Sequence, residues 1–82
     1  MIYTFFTEHK LEMNITQIEA CDTNSAVNKW RTSLPFSTAY DENIEDNNFT
    51  EVEGILNCWC TSCLDSDENI VIANFVLTDA KI

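Results

Sequence analysis

One segment of this 82-residue chain carries a helix pattern with a clear beginning and a clear end. Residues 22–25, Asp-Thr-Asn-Ser, are all of types that cap helix N-termini, and Pro35 stops a helix that precedes it. Between these limits, apolar side chains recur at the spacing of a 3.6-residue helix, at Ala26, Val27, Trp30 and Leu34. The pattern predicts one principal helix over residues 23–34.

The other apolar patterns are typical of β-strands. Residues 2–7, 14–21 and 52–64 are rich in strand-forming side chains, and residues 70–77 form a nearly continuous apolar run, as in a strand covered on both faces. Gly54 is interpreted as a bulge in the third of these strands. The order strand-strand-helix-strand-strand predicts an α+β fold, with a four-stranded, mostly antiparallel sheet and one principal helix packed on one face. Residues 1–82 are predicted to form a single domain.

Packing one helix against one sheet face defines the expected core. Its members should be Trp30, Val27 and Leu34 of the helix, against Phe5, Ile18, Leu56 and Phe75 of the strands. One helix leaves the second face of the sheet uncovered. Three occupants for that face stay open: the acidic segment 36–51, a partner protein, or a second copy in a homodimer.

Charge is the strongest feature of the composition. The formal net charge is −10, from 14 carboxylates and four Lys or Arg residues, and residues 32–80 contain no Lys or Arg. Such a field repels nucleic acid and anionic membranes and attracts basic proteins. The alternative interpretation is that acidity only keeps a small protein soluble.

The densest acidic stretch also contains apolar and aromatic side chains. Carboxylates steer a basic partner over long range, and the larger apolar side chains anchor it. We predict that this stretch binds a protein partner through Tyr40, Asp41, Glu42, Ile44, Glu45, Asp46, Phe49 and Glu51. The alternative is a solvated face without a partner.

Three closely spaced thiols, Cys58, Cys60 and Cys63, form the other conspicuous motif. Thiolates at such spacing bind zinc, copper or iron–sulfur clusters, and Cys21 or His9 could supply a fourth ligand. However, the sequence has no second CxxC pair, and strand alternation explains Cys58 and Cys60 as small apolar side chains that face inward. We predict reduced thiols with no metal and no other cofactor. A small metal-binding or thiol-redox protein is the alternative function.

Two other features match known chemistry only in part. Residues 65–69 fit the first five positions of an EF-hand calcium loop, but Ile70 stands where glycine is needed and Val76 where glutamate is needed. A charged hairpin turn is predicted there instead. His9 is predicted to be solvated in a turn, and the sequence has no phosphate-binding glycine loop or hydrolase motif. We expect no enzymatic activity.

The N-terminal residues 1–6 are apolar but lack the basic region of a signal peptide, which predicts a cytoplasmic protein. An abundance of Asn and Ile suits an AT-rich microbial or phage genome. These features predict a non-catalytic microbial or phage protein that occupies a basic site on another protein. Immunity proteins, antitoxins and inhibitors belong to this class, and no direct contact with nucleic acid or membrane is expected.

Overall fold

The computed structural model describes residues 1–36 and 49–79. In chain order its elements are β1 (Ile2–His9), β2 (Glu12–Glu19), α1 (Thr23–Ser33), β3 (Phe49–Glu51), β4 (Cys58–Leu64) and β5 (Ile70–Asp79). The strands form one five-stranded antiparallel sheet in the order β2-β1-β5-β4-β3. The first and last strands of the chain therefore pair near the middle of the sheet. No helix in the described ranges is long and apolar enough to cross a membrane.

The prediction of four strands is wrong, because the region interpreted as one strand from 52 to 64 contains a chain reversal. Gly54 (φ 84°) and Asn57 (φ 58°) both adopt left-handed backbone conformations, which suit tight turns. Gly54 therefore lies in a loop rather than in a bulge. The reversal brings β3 back beside β4, with Thr50 opposite Cys60, and so creates the fifth strand.

A tight two-residue turn joins β1 and β2, so their connection is shorter than the gap between the predicted strands 2–7 and 14–21. His9 pairs with Glu12, and the two residues between them, Lys10 and Leu11, have φ values of 50° and 67°. Positive φ at both central residues matches a type I′ hairpin turn, whose twist matches that of the strands. The second strand consequently begins two residues before its predicted start.

The predicted helix is confirmed to within one residue. Asp22 caps its N-terminus, because its side chain accepts a hydrogen bond of 2.7 Å from the backbone N–H of Ser25. Leu34 has an extended backbone, which ends the helix directly before Pro35.

Aromatic rings form the centre of the core, between α1 and the sheet face that it covers, here called the inner face. The Phe5 ring stacks on Trp30 at 5.7 Å and on Phe75 at 4.4 Å, measured between ring centroids. The indole N–H of Trp30 donates a 2.9 Å hydrogen bond to the Thr7 hydroxyl, so the buried donor is satisfied. The core prediction is confirmed for Val27, Trp30, Phe5, Ile18 and Phe75, which are all buried.

Two leucines depart from the predicted core. Leu56 is 92% exposed because it lies in the loop between β3 and β4, not in a strand. Leu34 is only partly buried, since the helix ends before it.

The sheet face opposite α1, here called the outer face, is lined by side chains that alternate with those of the core. No helix of the described ranges packs on it. Its exposed large apolar side chains are Phe6, Met13, Ile15, Leu64, Ile70 and Ile72.

Candidate protein-binding surface

The fold turns a charge asymmetry of the sequence into an asymmetry in space. Because β3, β4 and β5 are neighbours in the sheet, residues 49–79 form one side of the molecule, here called the acidic half. This half contains no Lys or Arg, whereas Lys10, Lys29 and Arg31 all lie on the side with β1, β2 and α1. The carboxylates of the acidic half are Glu51, Glu53, Asp65, Asp67, Glu68 and Asp79.

A loop at one end of the acidic half displays two aliphatic side chains. In the β3–β4 loop, residues 52–57, Ile55 is 57% exposed and Leu56 is 92% exposed. The exposed carboxylates of Glu51 and Glu53 precede these residues in sequence. Aliphatic side chains at the tip of an acidic loop can anchor a partner that the surrounding carboxylates attract.

Backbone hydrogen bonds hold this loop in one conformation. The N–H of Val52 donates to the carbonyl of Cys58 at 3.0 Å, and the N–H of Ile55 donates to the carbonyl of Val52 at 3.2 Å. The loop is also tied to the neighbouring strand, since the N–H of Leu77 donates to the Asn57 carbonyl at 2.9 Å. A loop ordered before binding loses less conformational entropy when a partner binds.

Most of the sequence-predicted partner-binding residues lie outside the described residues. These are Tyr40, Asp41, Glu42, Ile44, Glu45 and Asp46. Phe49 and Glu51 are described and lie on β3. The Phe49 ring is half-buried and meets Phe75 edge-on at 6.2 Å, so it supports the core, whereas Glu51 is exposed.

The three clustered thiols point to two different faces of β4. Cys63 pairs with the buried Val71 and lies on the inner face, whereas Cys60 pairs with the exposed Asn74 on the outer face. Cys58 shares the outer face with Cys60, so the prediction that both face inward is wrong. The sheet itself separates Cys63 from the other two thiols. Among the described residues, no three Cys, His, Asp or Glu side chains form a group that could hold a metal ion.

Burial also affects the reactivity of Cys63. Desolvation raises the pKa of its thiol above the ordinary value, and the Asp65 carboxylate adds to this, while Arg31 opposes it. A raised pKa keeps the thiol protonated at neutral pH and makes it a poor nucleophile.

The prediction that His9 is solvated in a turn is wrong. It is the last residue of β1 rather than a solvated turn residue, and its side chain is only 15% exposed. Its Nε2 lies 2.8 Å from Oδ2 of Asp65, and its ring stacks on Phe36 at 4.0 Å. The three side chains form a cluster at the end of the sheet near the β4–β5 turn, in which Asp65 is buried and His9 and Phe36 are partly buried.

Asp65 organises that turn with its carboxylate. Oδ1 accepts hydrogen bonds from the backbone N–H groups of Asp67 and Asn69, both at 2.8 Å, and the Asn69 amide donates to both oxygens. Residues 65–69 thus form the predicted hairpin turn. Since His9 and the turn already occupy both carboxylate oxygens, Asp65 is poorly placed to serve as a cation ligand.

The β3–β4 loop is not among the residues predicted from the sequence to bind a partner. The signal that could have found it is the pair Gly54 and Asn57, two turn-forming residues separated by an exposed apolar dipeptide. Comparison of the chain with protein-family models, with curated proteins and with solved structures found no match.

Proposed function

We propose that this chain is a non-catalytic protein-binding domain that occupies a basic surface on another protein through its acidic half. It would belong to the class of cytoplasmic microbial or phage inhibitors that includes immunity proteins and antitoxins. The observation that carries the proposal is the ordered β3–β4 loop, which exposes Ile55 and Leu56 beside the carboxylates of Glu51 and Glu53.

The charge distribution supports a basic partner. An excess of carboxylates over Lys and Arg on one side creates a directional field, which raises the association rate with a positively charged surface and falls with ionic strength. The cations of the described residues lie on the side with β1, β2 and α1, so a basic partner is drawn to the acidic half in preference.

The exposed aliphatic side chains support an anchor in the same place. Ile55 and Leu56 are neighbours in the hydrogen-bonded loop, so a partner that covers both would remove a continuous apolar area from water. Binding hot spots are typically such side chains inserted into a pocket and surrounded by polar groups.

Matched leucine variants test the anchor. The immobilised chain captures its partner from a lysate of the native host at low salt, and the captured protein is then purified for binding measurements. We expect Leu56→Ser to weaken binding by about tenfold or more, as for a hot-spot residue. Leu11→Ser is the control, because Leu11 is at least as exposed as Leu56 but lies on the β1–β2 turn beside Lys10. Equal affinities of the two variants would contradict the proposal.

Matched charge variants test the steering. Replacing Glu51 and Glu53 with Gln should slow association and reduce its salt dependence. The same change at Glu8 and Glu12 removes equal charge from the side with β1, β2 and α1, which also carries the described Lys and Arg residues, and it should slow association less. If the two pairs of substitutions slow association equally, the electrostatic field is not directional. The acidic residues would then serve only to keep the protein soluble. Gln or Asn at Asp41, Glu42, Glu45 and Asp46 tests the remaining sequence-predicted segment in the same assay.

A further inference from the structure

We infer that the outer face of the sheet binds a second copy of this chain, with the two sheets stacked face to face as a β-sandwich dimer. This inference is independent of the proposed function, because the outer face and the β3–β4 loop are different surfaces. The dimer would leave the loop of each copy free to bind a partner.

The outer face carries the apolar side chains that such an interface needs. Phe6, Ile72 and Ile70 lie on the two central strands, with Ile15 and Met13 beside them on β2 and Leu64 on β4. A groove of about 480 Å³ at the hairpin end of this face is lined by Met13, Ile70 and Ile72 together with hairpin residues that include Glu8, Lys10 and Glu12, and it can receive side chains from a facing sheet. An apolar surface of this extent on a soluble protein indicates contact with another surface.

The outer face is also the part of this acidic molecule on which two like-charged copies can meet. Few of the residues that point outward from the four long strands are charged: these are Glu8 and Glu19, with Asp79 opposite the outward-facing Ile2 at the end of β5. Glu19 is the last residue of the edge strand β2, and Glu8 is the penultimate residue of β1. Glu19 therefore lies near the rim, where water can still solvate it when the centre is covered, whereas Glu8 lies between Met13 and Ile72 within the apolar patch.

The described residues next to the acidic segment lie on the inner side of the sheet. The two residues that flank residues 37–48 both have their rings on the side of α1: Phe36 stacks on His9, and Phe49 packs on Phe75. The chain thus enters and leaves this range on the inner side of the sheet.

The size of the face suits a modest dimer. Four strands about 4.8 Å apart and about seven residues long give roughly 450 Å² of plane, which side-chain relief enlarges. Stable interfaces bury about 800 Å² per partner, and weaker ones less. We therefore expect self-association with a dissociation constant of roughly micromolar order, most visible at high salt, where repulsion between the copies is screened.

Matched isoleucine variants test the interface. Sedimentation velocity at high salt over a range of protein concentrations should show a monomer–dimer equilibrium for the wild type. Ile15→Thr and Ile72→Thr keep β-branched side chains in the strands, and each should weaken the dimer about tenfold. Ile55→Thr is the control: Ile55 is 57% exposed against 62% for Ile15, but it lies in the β3–β4 loop. It should leave the dimer unchanged.

The cysteines report which face is buried. Cys58 and Cys60 lie on the outer face, and Cys21 is exposed next to the N-terminus of α1. Mass spectrometry after brief alkylation should show Cys58 and Cys60 reacting several-fold more slowly in concentrated than in dilute protein, with Cys21 unaffected.

Three results would overturn the inference. One is a monomer at all concentrations in high salt. Another is a dimer that leaves the alkylation of Cys58 and Cys60 unchanged, which would indicate pairing through the edge strand β2. The third is protection of both thiols at every concentration, which would indicate cover by the chain itself.

Discussion

The imidazole of His9 meets the carboxylate of Asp65 at 2.8 Å, across the start of the strand that separates them in the sheet. His9 ends β1, and Asp65 follows β4, so the contact joins two strands that both pair with β5 but not with each other. Phe36 stacks on the same imidazole at 4.0 Å and adds the chain that follows α1. The polar pair and the ring contact together thus connect three separate parts of the chain.

This arrangement predicts acid sensitivity centred on Asp65. The hydrogen bond from His9 is the largest cause that holds the pKa of Asp65 well below its usual range, with further hydrogen bonds from Asn69 and Asp67 opposing the effect of desolvation. A carboxylate with a lowered pKa in the folded state stabilises it above the unfolded pKa of about 3.9, and this stability is lost as pH falls through the folded value. The free energy of unfolding, measured with denaturant, should therefore drop below about pH 4.

Two variants identify the source of that pH dependence. Asp65→Asn should lower the free energy of unfolding at neutral pH, and its difference from the wild type should shrink as the pH falls below about 4. Asp67→Asn removes the same charge from the same turn but leaves the Asp65 carboxylate intact, so it should keep the wild-type pH profile. A parallel pH profile for Asp65→Asn and the wild type would contradict the assignment.

Trp30 should be the most sensitive core position. It is 1% exposed, stacks on Phe5, and donates its indole N–H to Thr7. Trp30→Ala should lower the free energy of unfolding by about 3–5 kcal/mol, because it removes a large buried side chain and leaves a cavity. Thr7→Val is the control that removes only the hydrogen-bond acceptor, with an expected cost of about 1–3 kcal/mol for the unsatisfied N–H. Equal losses would mean that the hydrogen bond rather than ring packing dominates.

The sequence predicts the helix well because its signals are local. The capping carboxylate of Asp22, the apolar stripe and Pro35 all lie within one short stretch. The number of strands depends on contacts that are distant in sequence, and β3 has only three residues and no alternating pattern of its own. It exists because the turn at Gly54 and Asn57 places it against β4. Propensity alone does not reveal such pairing.

The face that each strand residue occupies is equally hard to predict. A register change of one residue exchanges the two faces of a strand, so placing Leu56 inward also placed Cys58 and Cys60 inward. In the structure Trp59 and Cys63 face the core instead, because Trp59 pairs with the buried Phe75. The acidic half could be foreseen from the distribution of Lys and Arg, whereas the exposed loop within it required the turn geometry.

The two most exposed leucines give a prediction about backbone strain. Leu11 has a positive φ of 67°, which costs a residue with a side chain roughly 1–2 kcal/mol, whereas glycine adopts it freely. Leu11→Gly should therefore raise the melting temperature, since the exposed side chain offers little packing to lose. Leu56 is also exposed but does not have a positive φ, so Leu56→Gly should lower the melting temperature slightly. The same direction of change for both variants would contradict the strain at Leu11.

The thiols should differ in reactivity according to the face and burial that the fold gives them. Burial raises the pKa of Cys63, whereas Cys21 is exposed beside the helix N-terminus. Because only the thiolate attacks an alkylating reagent, Cys63 should react more slowly than Cys21 at neutral pH, and its rate should still rise with pH well above neutrality. Quantitative mass spectrometry of each cysteine after timed iodoacetamide treatment measures both rates. Denaturant is the control, since unfolding removes the desolvation and should bring the two rates together. A native Cys63 that reacts as fast as Cys21 would show that the inner face is open to solvent at β4, and that the thiol-redox alternative needs to be reconsidered.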